Sequence, residues 1–197
     1  MKRRFIGLLL ALSCLQSLSA QEFSKDGSAL YSIGAGYERM PDAYSAEGFS
    51  LGVSVRFYTS GRMFCELMGH WGTHEGDKTV MQKGKPFAVH DERDCLLAAA
   101  GAGYDVFQDA GKRYALYVKA LAGYGVRSSR YDDYMPSDAD DGSVTLGCED
   151  NRKGLAFVAG VGFDARFGRW TLTPSVDAIF VGGRWNVAPM LSFGFFY

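Results

Sequence analysis

Chemistry in this chain would first be sought at its histidines, two of which stand close together. His70 and His74 enclose Trp71-Gly72-Thr73, and Glu75 follows directly. On a helix this spacing would place two imidazoles on one face and indicate a metal pair. On an extended chain, residues four apart are separated by about 13 Å, so their side chains do not converge without a turn. The preferred interpretation is therefore a rim histidine and a loop histidine, and not a metal or catalytic site.

The third histidine adds no catalytic pattern. His90 lies beside Asp91, and no serine stands at a motif-like spacing from it. A nucleophilic serine requires a histidine within hydrogen-bond reach to accept its proton. No such pair can be assembled from the sequence, which argues against an enzyme.

A second candidate site is the acidic segment from Tyr131 to Asp150, which carries acidic residues and no basic one. Asp138, Asp140 and Glu149 stand at positions 1, 3 and 12 of a calcium-loop pattern. Gly142 then falls at position 5, whereas the EF-hand loop requires glycine at position 6. The segment is interpreted as a solvated acidic loop, with a weak divalent-cation site as the alternative. No cofactor is predicted.

The first twenty residues have the pattern of an export signal. Lys2, Arg3 and Arg4 precede the apolar run from Phe5 to Leu12, and small residues end the segment at Ala20. This order is typical of a cleaved secretory signal peptide, and the apolar run is too short to span a bilayer. Residues 1–20 are therefore predicted to be the signal peptide and residues 21–197 the mature domain. Cys14 leaves a lipoprotein signal as the less favoured alternative.

The composition of the mature segment excludes several classes of protein. Removal of the signal peptide leaves 18 basic against 22 acidic residues, a net charge of −4, and nothing indicates nucleic-acid binding. No apolar run reaches the roughly eighteen residues of a transmembrane helix. The 25 glycines, 14 phenylalanines and 11 tyrosines favour tightly turned, aromatic-rich β-structure.

Eight segments alternate between apolar and more polar residues with the period of two that is typical of β-strands. The last, from Arg184 to Tyr197, is the clearest, because its apolar face is unbroken. Short and long connections alternate along the chain, and long loops are predicted at about Gly72 to Asp94 and Ser128 to Asn151. The eight segments lie at about 30–38, 48–58, 63–71, 95–107, 113–127, 155–164, 170–180 and 184–197.

The distribution of charge decides which face of these strands points inward. Six charged residues within the strands all fall on the less apolar face, which is also rich in Gly, Ser and Thr. A soluble barrel would show the reverse, with charges outside. Lipid around the apolar face explains the pattern, because Arg or Lys at the bilayer midplane costs about 2–4 kcal/mol. The six residues are Arg56, Glu66, Asp105, Lys119, Asp164 and Asp177.

With aromatic residues at both ends of the strands, the chain resembles the small eight-stranded outer-membrane barrels of the OmpA-like and OmpX-like type over residues 28–197. The closing residues Phe193, Phe195 and Tyr197 are similar to the signal read by the barrel-insertion machinery, although Ser192 stands where that signal usually has glycine. The resemblance implies an all-β, eight-stranded, antiparallel up-and-down transmembrane β-barrel. It also implies a monomer in contact with outer-membrane lipid, reached by Sec-type export.

The lumen of such a barrel is narrow enough to be filled by side chains. Arg56, Glu66, Lys119, Asp164 and Asp177 are predicted to pair across it. The turns near Ser60, Ala110 and Gly168 are predicted to be periplasmic, and the loops near Lys83 and Asp140 to face outward. The predicted function is non-catalytic, with outer loops that bind an extracellular partner or maintain the envelope. The alternative is a lipid-modifying enzyme or a narrow solute conduit.

Three cysteines remain in the mature segment. Cys65 lies on the apolar face and is predicted to be a lipid-facing free thiol. Cys95 begins the fourth strand and Cys148 precedes the sixth, so only one strand separates them. Two interstrand steps amount to about 9–10 Å, which a flexible loop can shorten to disulfide distance. A Cys95–Cys148 bridge is one interpretation, and three free cysteines are the other.

Overall fold

The computed structural model describes residues 25–40, 48–82, 85–131, 134–136, 143–145 and 148–197. Eight of its ten strands form a closed antiparallel barrel, and β6 and β7 pair only with each other. Among the described residues, no helix is long and apolar enough to cross a membrane. The strands are β1 (Ala29–Tyr37), β2 (Gly48–Tyr58), β3 (Met63–Gln82), β4 (Lys85–Gln108), β5 (Tyr114–Tyr131), β6 (Tyr134–Pro136), β7 (Ser143–Thr145), β8 (Cys148–Phe167), β9 (Trp170–Val181) and β10 (Arg184–Phe196).

Each barrel strand pairs with the barrel strands that come before and after it in the chain, and β10 closes the ring against β1. The closing register runs from Leu30 opposite Phe196 to Gly36 opposite Met190. Closure removes both sheet edges, so every strand within the ring is hydrogen-bonded on two sides. This confirms the predicted eight-stranded up-and-down barrel.

The two ends of the barrel differ. The terminal end, as we call it, holds Lys25, Tyr197 and the three short connections at 59–62, 109–113 and 168–169. At the opposite end β9 and β10 are joined by Gly182 and Gly183, both with positive φ (60° and 82°). Two consecutive left-handed residues match the twist of a two-residue hairpin, and glycine adopts that conformation without steric cost.

At this opposite end, β3, β4, β5 and β8 rise beyond the other strands and form what we call the wall. The pairing of β3 with β4 continues without a break to Gln82 opposite Lys85. β5 and β8 stay paired as far as Tyr131 opposite Cys148. β2, in contrast, begins only opposite His74, and β9 pairs with β8 no further than Phe157.

The wall corrects the prediction that residues 72–94 form a long polar loop. Polar residues occur on both faces of the hairpin there, so the sequence lacks the regular apolar alternation by which the lower strands were recognised. Backbone hydrogen bonds nevertheless continue the ladder, because strand pairing does not require an apolar face. Lys83 and Asp140, around which the outward loops were predicted, lie outside the described residues.

A register shift interrupts the ladder of β4 and β5 near the terminal end. Asp105 lies opposite Tyr117, and Phe107 lies opposite Leu116, so Val106 is the extra residue of a bulge. Such a bulge re-aims the side chains that follow it. Both Val106 and Phe107 are exposed, whereas Asp105 is buried inside the barrel.

Candidate functional site: lumen, mouth and wall

The outside of the barrel is apolar around its circumference. Ile33, Leu67 and Leu155 are 62%, 55% and 69% exposed, which is far above the exposure of a core residue. Soluble proteins rarely leave such a contiguous apolar surface to water, whereas a membrane barrel requires it. The apolar residues that the sequence assigned to the lipid-facing side are therefore on the outside of the barrel.

Exposed aromatic residues collect in two belts that bound this surface. Trp170 packs against Phe193 and Phe195 near the terminal end, with ring centroids 5.0 and 4.8 Å apart. Trp185 packs against Phe180 near the other end, at 5.1 Å. Amphipathic rings favour the interface between hydrocarbon and water. One belt contains Tyr31, Phe57, Tyr104, Tyr114, Trp170 and Tyr197, and the other contains Tyr37, Trp71, Tyr124 and Trp185; all are exposed.

The five residues predicted to form a charge network meet inside the barrel. Lys119 Nζ lies 3.1 Å from Glu66 Oε1 and 3.1 Å from Asp177 Oδ2. The guanidinium of Arg56 lies 3.3 Å from Glu66 Oε2 and 3.2 Å from Asp164 Oδ1. All five are buried. Glu66 therefore bridges the two cations and joins the pairs into one continuous network.

Neutral polar groups and rings complete the surroundings of Arg56. Its guanidinium donates a hydrogen bond to the Tyr117 hydroxyl and stacks over that ring, with 3.9 Å to the centroid. Thr173 donates to Asp164 Oδ1 at 2.7 Å. Arginine suits this position because its planar group can bind a carboxylate and stack on an aromatic face at once.

A second ion pair closes the terminal end. Lys25, which precedes β1, inserts its ammonium into the lumen 2.7 Å from Asp105 Oδ2. The same ammonium lies 4.7 Å from the centroid of the Tyr58 ring. Beside this pair, Leu30, Tyr58, Phe64, Tyr117 and Phe196 form a buried aromatic cluster that we call the floor. Neither Lys25 nor the cluster of inward aromatic residues was predicted. Lys25 lies outside a strand and carries no alternation, and aromatic residues had been considered for the two belts.

The space left between these side chains is small. A cavity of about 20 Å³ lies among Arg56, Glu66, Lys119, Asp177 and several serines, which is room for about one water molecule. Towards the wall, the lumen is filled by an apolar cluster that includes Met68, Leu97, Leu121 and Ile179. The lumen is thus packed with charges in one half and apolar side chains in the other.

Beyond the apolar cluster lies a polar group of five buried residues, the mouth cluster: Glu38, His70, His74, Arg127 and Asn186. Glu38 Oε2 accepts a hydrogen bond from His70 Nε2 at 2.8 Å, and Glu38 Oε1 accepts one from Asn186 Nδ2 at 2.7 Å. Arg127 donates to Asn186 Oδ1 at 2.8 Å. The main-chain carbonyl of Glu38 accepts a hydrogen bond from His74 Nε2.

The mouth cluster corrects the interpretation of the two histidines as rim and loop residues. Both lie in β3 and point inward, so they meet different atoms of the same residue. Along the strand the two histidines are still separated by about 13 Å. Glu38 spans that separation by offering its carboxylate to one histidine and its carbonyl to the other. The sequence did contain a signal for Glu38, because the alternation of β1 continues to this residue and places it on the inward face. That signal had been missed.

The other predicted site residues are not brought together. Cys95 is a free, buried thiol, so the proposed Cys95–Cys148 bridge is wrong. In the register of β5 with β8, Cys148 lies opposite Tyr131, whereas Cys95 lies opposite Arg127, further down the same strand. Cys65 is a free, exposed thiol. Asp138 and Asp140 lie outside the described residues, and Glu149 is described only by its backbone, so the cation site stays a prediction.

No protein-family model matches the sequence, and no curated protein matches it. Solved structures match the fold. Ail, the attachment invasion locus protein of Yersinia pestis, aligns with a TM-score of 0.59 at 14% identity, over 87% of this chain and 99% of Ail. Neisserial surface protein A aligns at 0.52 and 11% identity, over 86% of this chain and 97% of that protein. OprG of Pseudomonas aeruginosa aligns with a TM-score of 0.51 at 11% identity, over 89% of this chain and 98% of OprG. The chain therefore has the fold of the small eight-stranded outer-membrane β-barrels.

Proposed function

We propose that this chain is a monomeric, non-catalytic protein of the bacterial outer membrane that presents its wall for interaction at the cell surface. The observation that carries the location is the inversion of the usual sorting, with apolar side chains exposed and charged ones enclosed. A barrel of this kind is stable only where lipid surrounds it. Sec-type export, removal of residues 1–20 and insertion by the barrel machinery through Phe193, Phe195 and Tyr197 belong to the same proposal.

The orientation follows from the unequal ends. Small outer-membrane barrels have short periplasmic turns and longer extracellular segments. The terminal end, with its three short turns, would therefore face the periplasm, and the wall would face outward. Single cysteines at Lys112 and Thr79, in a chain without its natural cysteines, test this on intact cells. A membrane-impermeant maleimide should label the Thr79→Cys variant alone; labelling of the Lys112→Cys variant alone would reverse the orientation.

A packed lumen supports a surface role over a solute conduit. An ion crossing the barrel would have to pass the floor, the charge network and the apolar cluster. Planar bilayers that contain the purified protein should show no large steady conductance. A persistent open channel in the unsubstituted protein would contradict this part of the proposal and favour the conduit.

The surroundings of the histidines offer no support for a lipid-modifying enzyme. Such an enzyme needs a serine and a histidine at the lipid-facing rim, but His70 and His74 point into the barrel. His90, on the outer face of the wall, lies 3.2 Å from Asp77 in an exposed pair. A fluorescent phospholipid turnover assay on the reconstituted protein provides the direct test.

The wall is the part of the molecule suited to a partner, since it stands clear of the membrane band and both its faces carry polar groups. Ail, which shares this fold, was solved in complex with the heparin analogue sucrose octasulfate. Replacement of residues 76–91 by a short turn would remove the upper wall and leave the pair Glu75–Glu92 to close the hairpin. Photo-cross-linking from Thr79 on intact cells, with lipid-facing Val53 as control, should give protein adducts only at Thr79. If cells with the shortened wall instead become sensitive to detergent, the wall serves envelope integrity.

A further inference from the structure

The mouth cluster fastens the chain that follows β1 across the wall end of the lumen. Glu38 is tied to β3 by His70 and His74 and to β10 by Asn186. Arg39 exchanges two main-chain hydrogen bonds with Val187, at 2.8 and 3.0 Å. Met40 then inserts into the apolar cluster that also contains Cys95, and both are buried. Residues 38–40 therefore act as a strap over the packed lumen.

Both histidines that hold the strap contact it with Nε2. Their Nδ1 atoms are buried and have no hydrogen-bond partner among the residues that the structure describes. An acceptor such as a carboxylate or a carbonyl oxygen requires that Nε2 carry the proton, so in the neutral ring Nδ1 is bare. In His74, acid would add the second proton at Nδ1, where no described residue accepts it. A buried N–H without an acceptor is unfavourable, because the group has lost its hydrogen bond to water.

The two histidines contact different groups. His70 Nε2 lies 2.8 Å from the Glu38 carboxylate. His74 instead contacts the Glu38 carbonyl. Arg93 lies opposite His74 on β4, and Arg127 lies on β5, the next strand beyond β4. Asp91, the acidic group of β4 in this region, is already bound by Arg93 at 2.8 Å and by Ser129 at 3.0 Å.

We propose that His74 makes the strap a pH-sensitive latch, closed at neutral pH and released when acid protonates the imidazole. Release would free residues 38–40 from β3 and β10 and open the mouth as far as Met40 and Cys95. With the proposed orientation, the latch would respond to the pH outside the cell. The barrel below it would stay intact, because the floor and the charge network share no residue with the mouth cluster.

The direction of the effect follows from burial. His74 lies three residues beyond Trp71 of the outer belt and hence outside the membrane-spanning band. Burial lowers the pKa of His74 from 6.5; the Glu38 carbonyl and carboxylate oppose this, and Arg127 and Arg93 add to it. The released state therefore binds the proton first. Closure is fully stabilised above pH 6.5 and loses stability as the pH falls below that value.

Cys95 offers a direct readout, because it is buried beneath the strap. Replacement of Cys14, Cys65 and Cys148 by serine leaves Cys95 as the single thiol of the folded protein in lipid nanodiscs. The protection of Cys95 is defined as the rate at which a polar maleimide reacts with the urea-unfolded protein, divided by its rate with the folded protein at the same pH. This ratio removes the intrinsic effect of pH on the thiol. One proton taken up below pH 6.5 predicts that protection falls by about tenfold to thirtyfold between pH 7.5 and pH 5.

The matched substitutions separate His74 from other acid effects. His74→Gln keeps a side-chain N–H that can donate to the Glu38 carbonyl but cannot titrate, so protection should vary by less than about threefold over this range. His90→Gln removes an exposed histidine and should leave the fall unchanged. Constant protection in the parent, or an equal fall in His74→Gln, would overturn the latch.

A measurement that needs no substitution guards against a variant that fails to fold. Hydrogen exchange should show the Arg39 and Val187 amides losing protection in acid together with Cys95. The Tyr197 amide, bonded to the Ala29 carbonyl at 2.8 Å at the terminal end, should keep its protection. Equal loss at both ends would indicate global unfolding and would also overturn the latch.

Discussion

Removal of Lys119 tests whether the enclosed charges stabilise the barrel as one network. Its ammonium lies 3.1 Å from both Glu66 and Asp177, and the three side chains are at most 4% exposed. In Lys119→Ala, Glu66 keeps Arg56 as a partner. Asp177 loses the only ion-pair partner that it has among the described residues. Removal of one member of a buried pair costs about 3–5 kcal/mol, because the remaining charge is uncompensated.

The free energy of unfolding can be measured by urea titration of the protein in lipid vesicles, followed by tryptophan fluorescence. We expect Lys119→Ala to lose about 3–5 kcal/mol and Lys153→Ala, an exposed lysine on the wall, to lose less than about 0.5 kcal/mol. The double variant Lys119→Met/Asp177→Leu should recover most of the loss, because a buried ion pair can be replaced by packed apolar groups at little net cost.

Two outcomes would refute this reasoning. A loss below about 1 kcal/mol in Lys119→Ala would mean that water already solvates the carboxylates and that the lumen is open. A double variant no more stable than Lys119→Ala would mean that Lys119 and Asp177 do not act as a pair, since coupled residues deviate from additivity by about 0.5–3 kcal/mol.

Three further predictions test other parts of the molecule. Non-reducing peptide mapping should recover Cys95 as a free thiol that reacts fully after unfolding; a Cys95–Cys148 peptide would contradict the structure. A Cβ on Gly72 would collide with the Glu38 carboxylate, so Gly72→Ala should destabilise the mouth by about 1–3 kcal/mol, whereas Gly154→Ala meets open space and should not. Lys25→Ala should cost about 3–5 kcal/mol by leaving Asp105 buried and unpaired, measured in the same urea titration, and an unchanged midpoint would show that Lys25 does not occupy the lumen.

The membrane band is the part of this protein that its sequence determines most completely. Within the band one face of each strand meets lipid and the other meets packed polar side chains, so the two faces require different residues. That contrast makes Ile33, Val53 and Leu191 recognisable as outward and Arg56, Lys119 and Asp177 as inward, without any knowledge of their partners. The same contrast reveals eight strands. Because this number is even, the strands can close into an antiparallel ring.

The wall and the mouth depended on the tertiary structure. Above the band both faces of a strand carry polar residues, so the alternation that reveals a strand disappears from the sequence, and residues 72–94 looked like a loop. The partners of the buried charges were equally hidden. Arg56 and Asp164 are 108 residues apart in the chain, and only closure of the ring brings them into contact. Glu38 joins His70 and His74 for the same reason: hydrogen bonds across a lumen depend on which strands face each other, a relation that the spacing of residues along one strand does not contain.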